Sequence, residues 1–306
     1  MTERNTVLTG WNTALAKWGR PFRARPSKAS PYWLTRFALL RALGFVYLIA
    51  FLSLGDQLLP LIGSRGLLPA VDLLELDPSH PTRFSAFLDY PTLFWLRCTD
   101  AFLTASCWVG VALSALVLLG YANAIVMIAL WFLYLSFVQI GQTWYGFGWE
   151  YQLLETGFLA IFLCPLLDGR PFPRTPTPLV VIWLFRWLLF RVMLGAGLIK
   201  LRGDPCWSEL SCLDFHFETQ PIPHPGSWLY HNLPDWMHRT GVVFNHLVEV
   251  IAPFFVFGPR IARQIAGALM VAFQIALISS GNLAFLNWIT LVAALACFDD
   301  SFWQRI

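Results

Sequence analysis

Long apolar stretches separated by shorter polar segments dominate this chain of 306 residues. A helix that crosses a membrane needs about 20 mainly apolar residues. Eight stretches approach that length, and the sixth and the eighth are short. They cover residues 37–62, 101–120, 122–140, 149–167, 179–199, 241–257, 262–278 and 284–298. None alternates polar and apolar positions as the strands of a membrane barrel do. The pattern therefore predicts an all-α membrane protein, a polytopic bundle of about eight transmembrane helices.

The composition agrees with this fold class and excludes others. Hydrophobic residues make up 57% of the chain and charged residues only 13%, whereas soluble domains are roughly 25% charged. One soluble core cannot bury so many apolar side chains, and a disordered chain would be polar and poor in aromatic residues. The net charge of +3 is too small to indicate a nucleic-acid partner. Membrane lipids are the expected surroundings.

The positions of lysine and arginine predict the orientation, because basic residues accumulate on the cytoplasmic side. With both termini in the cytoplasm, twelve basic residues fall inside and six fall outside. Residues 1–36 are then a basic cytoplasmic segment, which begins too polar for a cleavable signal peptide. Residues 37–298 form the transmembrane domain, and residues 299–306 form a short cytoplasmic tail.

Two long segments, 63–100 and 200–240, lie on the predicted outer side. Long loops in compact proteins are usually functional or disordered, and the aromatic residues of these two indicate ordered caps on the outer face. Cys206 and Cys212 are expected to form a disulfide, because that side of the membrane permits one. A redox-active pair and a zinc site are the alternatives, although the spacing is not that of a C-x-x-C motif and zinc needs more ligands.

Ionisable side chains within the predicted spans are functional candidates, because charge inside a membrane is costly. A rise of about 1.5 Å per residue places Glu155, Arg191 and Glu249 roughly 9–12 Å below the outer face. We therefore predict that Arg191 pairs with one or both acids in an outward-opening polar pocket between the first, fourth, fifth and sixth spans. The predicted cluster comprises Asp56, Glu155, Arg186, Arg191, Asn245, His246 and Glu249. A purely structural set of ion pairs is the alternative interpretation.

Lys200 lies at the outer end of the fifth span. A lysine there can extend to the lipid headgroups or, if partly desolvated, act as a general base. His246 and Glu249 share one helix face and could form half of a metal site. No second pair completes that site, so no metal is predicted. The sequence has no phosphate-binding loop, dinucleotide fingerprint or hydrolase elbow, so no cofactor is predicted.

The run PCWSELSCLDFHFETQPIP at residues 205–223 resembles the outer loop of the lipase maturation factor family. Four further stretches agree, at residues 65–69, 154–160, 244–249 and 281–282, so the similarity covers nearly the whole chain. The loop residues that carry it are Trp207, Asp214, His216, Glu218, Gln220 and Pro221. The resemblance implies a non-enzymatic protein of an ER-type membrane, or of a bacterial inner membrane, that helps secreted dimeric lipases to fold and assemble. Secreted lipases are then the expected clients.

Members of that family continue into a soluble C-terminal domain implicated in client contact, which this sequence is expected to lack. A more distant similarity links Gly197, Lys200, Leu201 and Trp207 to the membrane half of vitamin K-dependent gamma-carboxylase. It implies an alternative function, a membrane enzyme acting on a lipid or a quinone with Lys200 as the general base. The histidine that the carboxylase has before its fourth span has no counterpart at residues 146–149.

Overall fold

A computed structural model of the chain describes residues 31–75, 82–171, 173 and 175–305. Most of the predicted N-terminal segment, residues 1–30, therefore lies outside the described residues, as do 76–81 of the first outer segment and Ile306 of the tail. Throughout the described ranges the regular structure is helical and contains no strand. The all-α class predicted from the apolar stretches is confirmed.

The α-helices follow one another in this order: α1 (Trp33–Ile62), α2 (Ala70–Leu73), α3 (Arg83–Asp89), α4 (Asp100–Leu119), α5 (Ala124–Ile140), α6 (Gly148–Ile161), α7 (Leu179–Arg202), α8 (Cys212–His216), α9 (Pro225–His231), α10 (Asp235–His246), α11 (Arg260–Ser280), α12 (Leu286–Ala294) and α13 (Asp300–Trp303). Tighter 3-10 turns cover Leu93–Trp95, Gln142–Tyr145, Pro205–Trp207, Ala252–Phe257 and Leu295–Cys297. A π-helical turn, Leu247–Ile251, continues α10.

Five helical segments are long and apolar enough to cross a membrane, namely α1, α4, α7, α11 and the continuous run Asp235–Phe257. The chain is therefore an integral membrane protein. The apolar helix α5 and the run Leu286–Cys297 are shorter, and α6 has only 14 residues. Each of the eight predicted stretches coincides with a helical segment, and the number of them that cross the membrane stays a prediction.

Two helix boundaries differ from the predicted ones for identifiable reasons. Helix α6 ends at Ile161 although the apolar stretch continues to residue 167. Pro165 has no backbone N–H and disfavours helical geometry in the residue before it, and its carbonyl instead accepts a hydrogen bond from the backbone of Ala124 at 2.9 Å. Helix α10 begins at Asp235 instead of residue 241, directly after Pro234. The second outer segment is therefore shorter than the sequence indicated.

Helices α1 and α4 pack closely because a glycine removes a side chain between them. A Cβ atom on Gly44 would lie 2.7 Å from the backbone nitrogen of Leu118. Further along α1, aromatic rings fill the space between α1 and α5, with Phe51 and Tyr47 lying 5.4 and 5.6 Å from Tyr134 in edge-to-face geometry. All three rings are buried. This close contact anchors the first half of the bundle.

Helix α12 joins two hydrophobic clusters. Ile289 and Val292 belong to the cluster built around α1, α4, α5 and α6. Ala293 and Ala294 belong to the cluster around α7, α11 and residues 247–257. We call residues 247–257 the run after α10. Because it contributes side chains to both clusters, α12 is an interior helix of the bundle.

The close approach at Gly44 generates a testable prediction. In the variant Gly44→Val the added side chain would overlap the α4 backbone, so we expect a destabilisation of about 1–3 kcal/mol from overpacking and a lower yield of folded protein. Thermal unfolding in detergent measures the effect. Gly148→Ala is the matched control, because a Cβ there meets no atom within 4 Å. Equal midpoints for the two variants would contradict the packing described here.

Candidate functional site

The side-chain amine of Lys200, in the last turn of α7, holds together the polar groups at one end of the bundle. It donates to the amide oxygen of Asn245 at 2.7 Å and to the two carboxylate oxygens of Glu249 at 2.7 and 2.8 Å. The Glu249 side chain is only 4% exposed and that of Lys200 is 24% exposed. A buried carboxylate needs such a partner, because removing its charge from water is costly.

Local backbone geometry brings these groups together. Glu249 lies in the π-helical turn Leu247–Ile251, and π-turns within helices frequently lie at functional sites. A Cβ on Gly197 would come within 2.8 Å of Val250 and 3.0 Å of the Glu249 Cβ, so the glycine lets α7 approach the turn. Asn245 also donates to Glu249 at 2.9 Å, which fixes the orientation of the carboxylate.

A disulfide-bridged turn lies over this cluster. Cys206 and Cys212 are bonded, as the sequence predicted. The bridge flanks Trp207, whose ring centroid lies 5.0 Å from the Lys200 amine in a cation–π arrangement. The Trp207 carbonyl accepts a hydrogen bond from His246 at 3.0 Å. The bridged turn therefore contacts both α7 and α10.

Gln220 attaches the same outer segment to the end of α11. Its amide nitrogen donates to the carbonyl of Ser280 at 3.2 Å, and its amide oxygen accepts from Ser227 at 2.9 Å. The amide nitrogen also lies 3.3 Å from a ring nitrogen of His216. Burial, and secondarily the positive charge of Lys200, lower the pKa of His216, which favours the neutral ring that can accept this bond. Pro221 is exposed immediately after this anchor.

Histidine–acid contacts complete the attachment. Asp214 lies 2.7 Å from one ring nitrogen of the buried His238, whose other ring nitrogen lies 2.8 Å from the carbonyl of Tyr230. Glu218 pairs with His231 at 3.1 Å. Of the loop residues that carried the family resemblance, Trp207, Asp214 and Gln220 attach the segment from Asp204 to Pro234 to the helices, and His216 and Glu218 make contacts within it. We call this segment the cap.

The structure does not bring the predicted polar residues into one cluster. Arg191 pairs with Glu155, and both side chains are substantially exposed, at 53% and 41%. Glu249 pairs with Lys200 and not with Arg191. The predicted pairing of Arg191 with an acid is therefore found for Glu155 alone. Glu249 lies against Gly197, about 9 Å from Arg191 along α7 by helical rise, and a depth estimated from the sequence does not fix the direction in which a side chain points. At about 100° per residue, positions 191 and 200 lie on opposite faces of α7.

Two further residues of the predicted cluster also lie elsewhere. Arg186 is buried about 21 Å below Lys200 by helical rise, where it donates to the carbonyl of Ala296 at 3.0 Å and to the hydroxyl of Tyr32 at 2.7 Å. Asp56 is exposed on α1. The structure therefore does not have the predicted outward pocket between four helices. It has a smaller polar cluster of Lys200, Asn245 and Glu249, between the end of α7 and the end of α10 with the run after it.

His246 and Glu249, the pair considered for metal binding, have different partners. His246 donates to the Trp207 carbonyl and Glu249 accepts from Lys200. Across the described ranges, no three histidine, cysteine, aspartate or glutamate side chains are placed to hold a metal ion.

Sequence reasoning missed Glu150. This carboxylate is buried near the start of α6 and accepts a hydrogen bond from the hydroxyl of Tyr134. The sequence did contain a signal for it, because Glu150 lies in the motif WEYQ at the beginning of an apolar stretch. An acid in that position must be buried with a hydrogen-bond donor or lie at the membrane surface.

Residues 34–305 match the family described as the lipase maturation factor transmembrane domain. The chain is 52% identical to lipase maturation factor 1 of Bos taurus over 293 residues, which covers 92% of this chain and 52% of that protein. It is 50% identical to lipase maturation factor 1 of Homo sapiens, covering 88% of this chain and 49% of that protein. It is 37% identical to lipase maturation factor 2 of Homo sapiens, covering 87% and 40%.

The chain therefore spans about half the length of the factor 1 relatives that it matches. No solved structure matches it.

The Lys200–Glu249 pair can be tested by removing one or both charges. The variant Lys200→Met leaves a buried, unpaired carboxylate, so we expect a destabilisation of about 3–5 kcal/mol. The double variant Lys200→Met with Glu249→Met removes both charges and should recover much of that loss. Thermal unfolding midpoints in detergent make the comparison. Arg202→Met, at an exposed basic position of the same helix turn, serves as the control. Equal instability of the single and double variants would show that the pair is not the stabilising unit.

The disulfide can be tested separately. Replacing both Cys206 and Cys212 by serine should lower stability by about 2 kcal/mol, because the bridge closes only a short loop, and should make the cap more sensitive to protease. Limited proteolysis and unfolding in detergent report both effects. Cys98→Ser, which changes a free cysteine, should behave as wild type. Alkylation of Cys206 and Cys212 without prior reduction, detected by mass spectrometry, would show that the bridge is absent.

Proposed function

The chain belongs to the lipase maturation factor family, and from this membership we propose that it assists the folding and assembly of secreted lipases from within a membrane. The observation that carries the proposal is the identity of about half of all positions to proteins of that name, over about nine-tenths of this chain. Secreted lipases are therefore the proposed clients.

The Lys200 contacts support a structural role in preference to general-base chemistry. The amine faces three oxygen atoms of Asn245 and Glu249, all within 2.8 Å. Carboxylate and amide oxygens are acceptors, and only the ammonium form of lysine carries three donors. A general base needs a free lone pair, which an ammonium group lacks. The cluster therefore favours a scaffold that positions the cap over the carboxylase-like alternative.

The topology that we propose has eight membrane-crossing segments, both termini in the cytoplasm and the cap on the opposite side. The excess of basic residues on the termini supports this orientation, and a disulfide in the cap suits an oxidising compartment. We propose the lumenal face of an ER-type membrane in a eukaryote, or the periplasmic face of a bacterial inner membrane. The cap then lies where a secreted client folds.

Large apolar side chains on and beside the cap are available for a client. Trp228 is 73% exposed and Leu229 is 60% exposed on α9, and Trp236 is 66% exposed at the start of α10. Exposed apolar residues on an otherwise well-attached segment are typical of interaction surfaces. We propose that these residues contact the folding lipase.

The orientation can be tested with single cysteines at exposed positions. We expect Leu229→Cys, in the cap, to react with a membrane-impermeant maleimide added to the cap side of the membrane, and Leu167→Cys, in the connection after α6, to react only after permeabilisation. The unmodified chain controls for its own cysteines. Labelling of position 167 but not of position 229 would invert the proposed topology.

The proposed function is tested in cells that lack their own lipase maturation factor and express a secreted lipase together with this chain. We expect the chain to raise secreted lipase activity at equal lipase synthesis. The double variant Trp228→Ser with Leu229→Ser should reduce that gain several-fold, because it removes the proposed contact. Phe84→Ser, at an equally exposed position on α3, should retain it.

Two outcomes would contradict this account. If the chain leaves lipase activity unchanged although it reaches the membrane in folded form, the maturation role is wrong. If the cap variant and the Phe84 variant act alike, the role can stand but the cap is not the contact surface.

A further inference from the structure

An ion pair faces outwards from the middle of the apolar helices. Arg191 lies halfway along α7, its guanidinium group donates to the Glu155 carboxylate of α6, and both side chains are substantially exposed. The exposed residues around the pair, on these two helices and at the end of α6, are all large and mainly apolar. They are Tyr151, Phe158, Phe162, Leu184, Trp187 and Leu198. The pair is therefore set in a surface that otherwise suits lipid tails.

Such a position is costly unless protein covers it. Charged residues within membrane segments almost always face the interior of the bundle or a water-filled cavity. The guanidinium group carries five N–H donors and the carboxylate has two oxygens, so each side chain can make more contacts than the bond that joins them. Hydrocarbon offers none. A second protein surface with matching polar groups at the same depth would supply them.

We propose that this surface, formed by α6 and α7 around Glu155 and Arg191, is a contact between two copies of the chain. Two copies in one membrane share one orientation, so identical residues lie at identical depth. A two-fold axis along the membrane normal then brings Arg191 of one copy towards the partner's Glu155, and Glu155 towards the partner's Arg191. A surface that carries both charges side by side complements itself under this symmetry, whereas a different partner would need two charges of its own at that level.

Gly195 supports the same contact. It lies about one helical turn from Arg191 and on the same face of α7, and a Cβ atom built on it meets nothing within 4 Å. Small residues at such positions allow membrane helices to approach closely. The interaction is independent of the proposed maturation role, because it follows from the placement of two charges and a glycine.

The decisive experiment uses two differently tagged copies of the full chain, expressed together and purified through one tag in mild detergent. Wild-type copies should co-purify. Arg191→Glu gives a copy with two acids in the contact, and Glu155→Arg gives a copy with two bases. Each variant expressed with itself should lose co-purification, because like charges then meet. The acidic and the basic variant expressed together should regain it, a rescue that a fold defect within each copy does not produce.

Cysteine cross-linking in intact membranes provides the second measurement. Gly195→Cys in the otherwise unchanged chain should cross-link to a second copy with a short bifunctional maleimide. Val109→Cys, exposed on α4, should not exceed the unmodified chain. The proposal is overturned if wild-type copies do not co-purify, or if both charge variants still self-associate. If the two charge variants expressed together do not regain co-purification, the cross-linking result decides. Equal cross-linking at positions 195 and 109 then overturns the proposal.

Discussion

The contact between the Lys200 amine and the Glu249 carboxylate, at 2.7 Å, is the interaction on which the rest of the site depends. Glu249 is almost completely buried in a π-helical turn, so its charge requires a partner close by. Lys200 supplies it from the end of α7, and Gly197 allows the two segments to meet. Trp207 then packs over the amine. One ion pair thereby connects α7, the run after α10 and the cap.

The same constraint operates at the opposite end of the bundle. Arg186 and Arg263 are buried there and donate to the carbonyls of Ala296 and Cys297 at 3.0 and 2.9 Å. Asp300 accepts hydrogen bonds from the backbone of Trp33 and Leu34, at the start of α1, and so satisfies N–H groups that a helix leaves unpaired. Polar groups with defined partners thus hold the helix ends at both sides, while apolar packing fills the middle. The pair of Arg191 and Glu155 is an exception in one copy of the chain, because these charged groups lie exposed beside the middle of the helices.

Hydropathy predicted the helices because the requirement for about 20 apolar residues is encoded locally in the chain. Compartment chemistry likewise predicted the disulfide of Cys206 and Cys212. The pairing of Arg191 with Glu155 was one of the two predicted, but the partner of Glu249 was not predictable in this way, because a depth estimated from the sequence does not determine the face of the helix on which a residue lies. Arg191 and Lys200 lie on opposite faces of α7, so only packing decides which one reaches Glu249.

Two local features of the helices were also not predictable from the sequence. The end of α6 depends on Pro165, which lies within an apolar stretch, and the π-turn after α10 has no signature in its own sequence LVEVI. The cap residues were recognised as a family motif, but the motif did not reveal what each residue does. Gln220, for example, acts through its contacts with Ser227 and Ser280, which lie seven and sixty positions away along the chain.

The central claim is that the Lys200–Glu249 pair holds the cap in place, and hydrogen–deuterium exchange followed by mass spectrometry tests it most directly. In Lys200→Met, compared with Arg202→Met, the account predicts faster exchange in the segment Asp204–Pro234 and in the turn Leu247–Ile251, with α4 unchanged. Exchange in the cap equal to that of Arg202→Met, or a uniform increase that includes α4, would contradict it.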